Sequence, residues 1–227
     1  MTEDLSEFLK YIAAGDLEGR DRIPPLADLS HELGVNTSRL REQMEVARVM
    51  GLIEVKPRTG IKRLDYKFSP AIVKSLEYAL TINPALYKHY SDLRRNIESC
   101  YWLQAVSQLT DADISELKAI TVRAGEKLHR VPIQIPHPEH RSLHLTFYRR
   151  LENPFVTGLL EAYWDVYEKF GLDIYTDLIY QERVWDYHTR IVDSIRNQKF
   201  QDSHTLLIEH MNLIVQRHVK PPNLAFE

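Results

Sequence analysis

Leu26, Leu29 and Leu33 recur at intervals of three and four, Gly34-Val35-Asn36 interrupts them, and Leu40, Met44 and Ala47 resume the same spacing. The pattern predicts two short helices joined by a tight turn. Gly34 supplies a helix stop, Asn36 caps the next first turn with its side chain, and Pro24-Pro25 stands where a helix tolerates proline, at its start. Arg39, Arg41, Gln43 and Arg48 fall largely away from the apolar stripe of the later helix. Upstream, Leu5, Phe8, Leu9 and Ile12 predict an amphipathic helix over 5–14 that stops at Gly15. Downstream, Leu52, Ile53 and Val55 favour a strand, Pro57-Arg58-Thr59-Gly60 a turn, and Ile61, Leu64 and Tyr66 a second strand. Two helices around a glycine turn, followed by a hairpin, match a winged helix-turn-helix, in which the second helix enters the major groove of DNA.

Charge supports that assignment locally and not globally. The chain carries 29 basic and 32 acidic residues, a formal balance of −3. Between Asn36 and Lys67, however, eight basic residues face four acidic ones. A basic segment in an acidic protein is the footprint expected of phosphate contact. The lone cysteine, Cys100, allows neither an internal disulfide nor a metal site built from cysteines, which fits a reducing, cytoplasmic setting. The first residues open with acids, and nowhere is there an apolar run of signal-peptide or membrane-spanning length.

From Ser69 onward the texture is helical, with breaks at Asn83-Pro84, Thr110-Asp111, Val131-Pro138, Glu152-Pro154, Gly171-Asp173 and Asn197-Gln201, and a tail at Lys220-Pro221-Pro222-Asn223. The expected fold is mainly α: a winged helix-turn-helix over 1–67 and an all-α bundle of about six or seven helices over 68–227.

Leu29, Leu33, Gly34, Val35, Arg41, Glu42, Gly51, Leu52, Pro57 and Gly60 lie in one run that resembles the DNA-binding segment of GntR-type transcriptional regulators. The resemblance covers about the first third of the chain. It implies that Asn36, Thr37, Ser38, Arg39 and Arg41 face operator DNA, and that Arg58 and Gly60 lie in the wing. Asn36-Thr37 replaces the usual Ser-Arg, and Arg39 stands at a usual proline, so the operator sequence does not carry over.

Ten histidines occur, and His140 and His144, four apart, share one face of a helix. His188 and His210 each have apolar neighbours at helical spacing and can point into a bundle. Taken singly, each is more often a core or surface residue than a ligand. The C-terminal half, though, resembles the FadR-type (FCD) effector domain, where an Asp-x3-His pair and two later histidines bind one metal. The resemblance implies the ligand set His140, His144, His188 and His210, with His140 standing where the family has aspartate. An all-imidazole set suits zinc or nickel and disfavours magnesium, calcium and manganese. It also leaves the ion's full charge uncompensated, which favours an anionic effector, a small carboxylate above all. The alternative is that His140 turns outward and Glu139 or water fills its place.

By the same resemblance Arg94 faces the effector pocket and clamps a carboxylate; the other reading is a solvated charge paired to Glu98 at i+4. Tyr101 and Trp102 replace family alanines and either contact the effector or fill core, and Asn153, in the turn after the His pair, is a further effector candidate. The resulting expectation is a homodimeric, effector-responsive regulator, a repressor by analogy, that reads a palindromic double-stranded operator. A metal sensor is a second reading. A bundle metalloenzyme is a third, against which no general base, nucleophile motif or phosphate loop is found beside the histidines.

Overall fold

A computed structural model describes residues 5–17, 22–56, 60–170 and 177–215. Ten helices and three strands occur among them: α1 (Glu7–Leu17), β1 (Arg22–Ile23), α2 (Leu26–Leu33), α3 (Thr37–Val49), β2 (Ile53–Lys56), β3 (Gly60–Arg63), α4 (Ser69–Ile82), α5 (Leu86–Val106), α6 (Asp111–Leu128), α7 (His137–Phe147), α8 (Pro154–Phe170), α9 (Leu178–Arg196) and α10 (Phe200–Val215). The chain divides into two compact units, Met1–Lys74 and Ser75–Glu227, with the division inside α4. No described helix is long and apolar enough to cross a membrane.

In the first unit, Gly34 caps α2 in the left-handed region at φ 63°, and Asn36 caps α3 by accepting the Arg39 backbone N–H at 2.9 Å. Phe8, Ile12, Leu29, Leu40, Ala47 and Ile53 form one buried core, so the three helices and β2 share a single apolar centre. Gly51 has φ 73°, and a Cβ there would lie 2.6 Å from the Pro70 ring, so both conformation and space require glycine. Three details depart from the sequence expectation. Helix α1 runs through Gly15 to Leu17, because Gly15 is buried and a helix-interior glycine costs only about 1 kcal/mol. The second hairpin strand ends at Arg63, short of Tyr66. Strand β1, two residues too brief to show alternation, pairs antiparallel with β3 and gives the sheet order β1-β3-β2.

In the second unit, the core gathers Trp102, Leu117, Ile120, Leu143, Phe147, Ile191 and Leu207 from α5, α6, α7, α9 and α10. Helix α9 packs against both α6 and α10, and α5 packs against α7, α8 and α10. Thr110 and Asp113 form a reciprocal capping box at the start of α6. Pro138, expected in a break, lies in the first turn of α7, where its missing N–H costs nothing. The breaks expected at Gly171-Asp173 and the tail at 220–223 lie outside the described residues.

Candidate metal centre

The amphipathic stripes of α7, α9 and α10 turn four histidines toward one point. His140 and His144 stack a turn apart on α7, His188 comes from α9 and His210 from α10. His144, His188 and His210 are buried, and one ring nitrogen from each of the four lies within 4.8 Å of the others. The Nε2 atoms of His144 and His188 are 3.3 Å apart, and those of His188 and His210 3.1 Å. Metal–nitrogen bonds of 2.0–2.1 Å give a coordination tetrahedron an edge of about 3.4 Å, so these separations are those of donors around one ion. Burial, reinforced by the Arg94 guanidinium, holds all four rings well below the ordinary histidine range; the neighbouring imidazoles add to this for His140, His188 and His210. They are therefore neutral, the form that offers a lone pair.

A second observation tests the fit. Nε2 of His140 is buried without a hydrogen-bond partner. A buried polar atom left unpaired costs about 1–3 kcal/mol, and an open lone pair beside three other imidazoles is what a missing ligand leaves behind. The residues present fit a divalent ion bound by imidazole. Glu139 is not a competitor for the site: its carboxylate pairs with Lys127 at 2.7 Å, on the α6 side of α7.

Arg94 is buried on α5, and neither simple alternative from the sequence describes it fully. Its Nε donates to Glu98 Oε1 at 3.0 Å, Nη2 lies 2.9 Å from Nδ1 of His144, and the guanidinium covers the rings of Tyr163 and Trp164 at 4.7 and 4.9 Å. Burial opposes its charge, but Glu98, helped by Tyr163 and Tyr87, more than offsets this and raises its pKa. Glu98, fully buried, is raised by burial against the pull of Arg94. A narrow cleft, with a free volume of about 10 Å³, is lined by Arg94, His140 and His210 together with Tyr163, Tyr167, Tyr180 and Gln181.

Tyr101 and Asn153 are not among the residues lining this cleft. Tyr101 packs half-buried against the main core, and Asn153 Oδ1 accepts the N–H groups of Phe155 and Val156, capping α8. Trp102 is plain core, its indole N–H donating to Ser203 Oγ at 2.9 Å. Sequence reasoning noted Glu98 only as a helix neighbour of Arg94 and found no general base beside the histidines; Oε1 of Glu98 lies 3.2 Å from Nδ1 of His144. The three tyrosines, Tyr163 and Tyr167 one turn apart on α8 and Tyr180 on α9, carried no signal.

In the first unit, Asn36, Thr37, Ser38, Arg39 and Arg41 are exposed together over the first turns of α3. Arg48 pairs with Glu45, and Gln43 Oε1 accepts the Phe8 N–H, which ties α3 to α1. Gly60 opens β3 at φ 85°, while Arg58 lies outside the described residues.

The FCD domain matches residues 90–213, more than half of the chain and all of the histidine cluster with Arg94. The chain belongs to the FCD-domain family. Family members are ligand-responsive transcriptional regulators and not enzymes. The fold of this FCD protein is that of a GntR-type regulator. It is similar to the solved structure of Streptococcus agalactiae GntR at 16% identity, with TM-score 0.71, over 93% of this chain and 98% of that one. It is also similar to E. coli McbR/YncC at 14% identity, with TM-score 0.51, over 93% and 96%. No curated protein matches the chain in sequence.

Proposed function

We propose that this FCD protein is a cytoplasmic, homodimeric repressor that leaves a palindromic operator when a small carboxylate binds beside a zinc or nickel ion. The observation that carries the reading is the buried four-histidine cluster opening onto a cleft walled by a buried arginine. His140, His144, His188 and His210 hold the ion. Bound there, the ion supplies a Lewis-acidic positive charge with no counter-ion among its ligands. Arg94 adds a planar donor at the cleft wall, and the tyrosines around it confine the anion and shield it from water. In the other unit, Asn36, Thr37, Ser38, Arg39 and Arg41 on α3 face the operator, with Arg58 and Gly60 in the wing. Tyr101 and Asn153 remain effector candidates only if the effector reaches beyond the cleft.

The test is metal analysis of untagged protein beside His144→Ala and His210→Ala, followed by operator binding with a panel of organic acids. One ion per chain, absent from both variants, and acid-dependent loss of DNA affinity support the reading. Coupling of about 1–3 kcal/mol corresponds to a 5- to 150-fold change in operator affinity. Absence of metal after incubation with zinc and nickel defeats it. If zinc or nickel alone changes operator affinity and no acid does, the ion itself is the signal.

A further inference from the structure

The cleft beside the histidines has a mouth. Among the described residues that line it, Arg94, Tyr163, Tyr167, Gln181, Val184 and His210 are buried, and only His140 and Tyr180 are partly exposed. The opening therefore lies between these two, with Arg94 and the other imidazoles behind them. Its free volume of about 10 Å³ is the room of about one water molecule, less than a carboxylate and its carbon chain occupy. An acid that enters must move part of the wall.

Most of that wall is fixed. Arg94 is held by Glu98 and by the faces of Tyr163 and Trp164. The Tyr163 hydroxyl lies 3.0 Å from that of Tyr87 and 3.3 Å from Ser91 Oγ, which ties α8 to α5. His140, at the mouth, packs its ring 4.8 Å from Trp164 and 4.9 Å from His188, and it is committed to the ion. Tyr180 differs from these. It stands in the first turn of α9, and its half-buried ring rests on both the main core and the Tyr163, Trp164 and Tyr167 cluster. Val184, one turn further along α9, and the tyrosine rings give the space beneath it an apolar lining.

We infer that Tyr180 is the specificity-determining residue of this site and that the effector is a short, unbranched monocarboxylate. Its carboxylate lies toward Arg94 and the ion, its alkyl end lies beneath the Tyr180 ring, and the bulk of that ring sets the longest chain the cleft accepts. An apolar lining suits an alkyl chain and offers nothing to a second charge. The inference rests on the effector reading above and adds to it the class of acid and the residue that measures it.

The experiment is isothermal titration calorimetry of full-length, zinc-loaded protein with formate, acetate, propionate, butyrate and hexanoate, for the wild type, Tyr180→Ala and Tyr180→Trp. The wild type should bind the short acids and lose affinity at butyrate and hexanoate. Tyr180→Ala should move the optimum to longer chains, with binding about fourfold tighter for each methylene that finds room. Tyr180→Trp should move it the other way, toward formate and acetate. One and the same chain-length profile in all three proteins overturns the inference. If Tyr180→Ala does not fold, Tyr180→Trp decides, since a profile unchanged or shifted to longer acids overturns it equally. Binding of none of the five acids, while another organic acid releases the operator, defeats this inference alone; failure of every acid defeats the effector reading as well.

Discussion

Replacing Asp113 by alanine should destabilise the helical unit by about 2–3 kcal/mol at neutral pH, a sum that follows from its partners. Its Oδ2 accepts the Thr110 N–H at 3.0 Å and the Thr110 hydroxyl at 2.7 Å, which caps α6 and contributes about 1 kcal/mol. Arg150 adds Nε at 2.8 Å on Oδ2 and Nη2 at 3.1 Å on Oδ1, and Arg149 adds Nη1 at 3.3 Å on Oδ1. Hydrogen bonds to a charged group contribute about 1.5–3 kcal/mol when buried. Asp113 is 2% exposed but the two arginine side chains are 46% and 41% exposed, so solvent screening leaves only about 1–2 kcal/mol for the three together. At roughly 2–4 °C per kcal/mol for a unit of this size, Tm should fall by roughly 5–10 °C.

The pH dependence has a definite sign. Arg150 and then Thr110 hold the Asp113 carboxyl well below its ordinary value of 3.8, so the folded form binds its proton less readily than the unfolded one. The contribution is therefore fully present above that ordinary value and is lost as pH falls through the folded one. Thermal denaturation of both proteins, followed by circular dichroism at pH 7 and in steps below about pH 4, should show the Tm gap narrowing with acid. Equal Tm values at pH 7, or a gap that widens on acidification, would refute the argument.

Further outcomes follow from other residues. Gly34→Ala should cost only about 1 kcal/mol, since φ is 63° and no atom lies within 4 Å of the new Cβ; Gly51→Ala adds a collision with the Pro70 ring and should cost clearly more in urea titration. Trp102→Ala should cost about 3–5 kcal/mol, because the ring is fully buried against Phe147 and its N–H holds Ser203. Zinc at about a thousand times its Kd should stabilise the protein by about 4 kcal/mol in thermal denaturation, reversibly with chelator and not in His210→Ala. Arg41→Ala should weaken operator binding and lower the magnitude of its salt dependence by about one counterion, measured by fluorescence anisotropy across a salt series.

The local rules written into the sequence were sufficient for α2 and α3. Gly34, Asn36 and the leucine spacing each act within a turn of themselves, so the ends and caps of these helices could be read directly, whereas the ends of α1 and β3 and the whole of β1 escaped, β1 because two residues carry no period. The histidines were legible as a set through the family resemblance and through α7's own geometry, which puts residues four apart on one face. What the sequence could not supply was the company those rings keep. His188 and His210 are brought to His144 by the packing of α9 on α10, and the tyrosines are brought to Arg94 by α8 and α9. Glu98 was plain as a helix neighbour, yet the second use of its carboxylate, on His144 forty-six residues away in α7, depends on how α5 crosses that helix. Local backbone chemistry determines elements; the direction in which a buried charge must find its partner is decided only when the helices close around it.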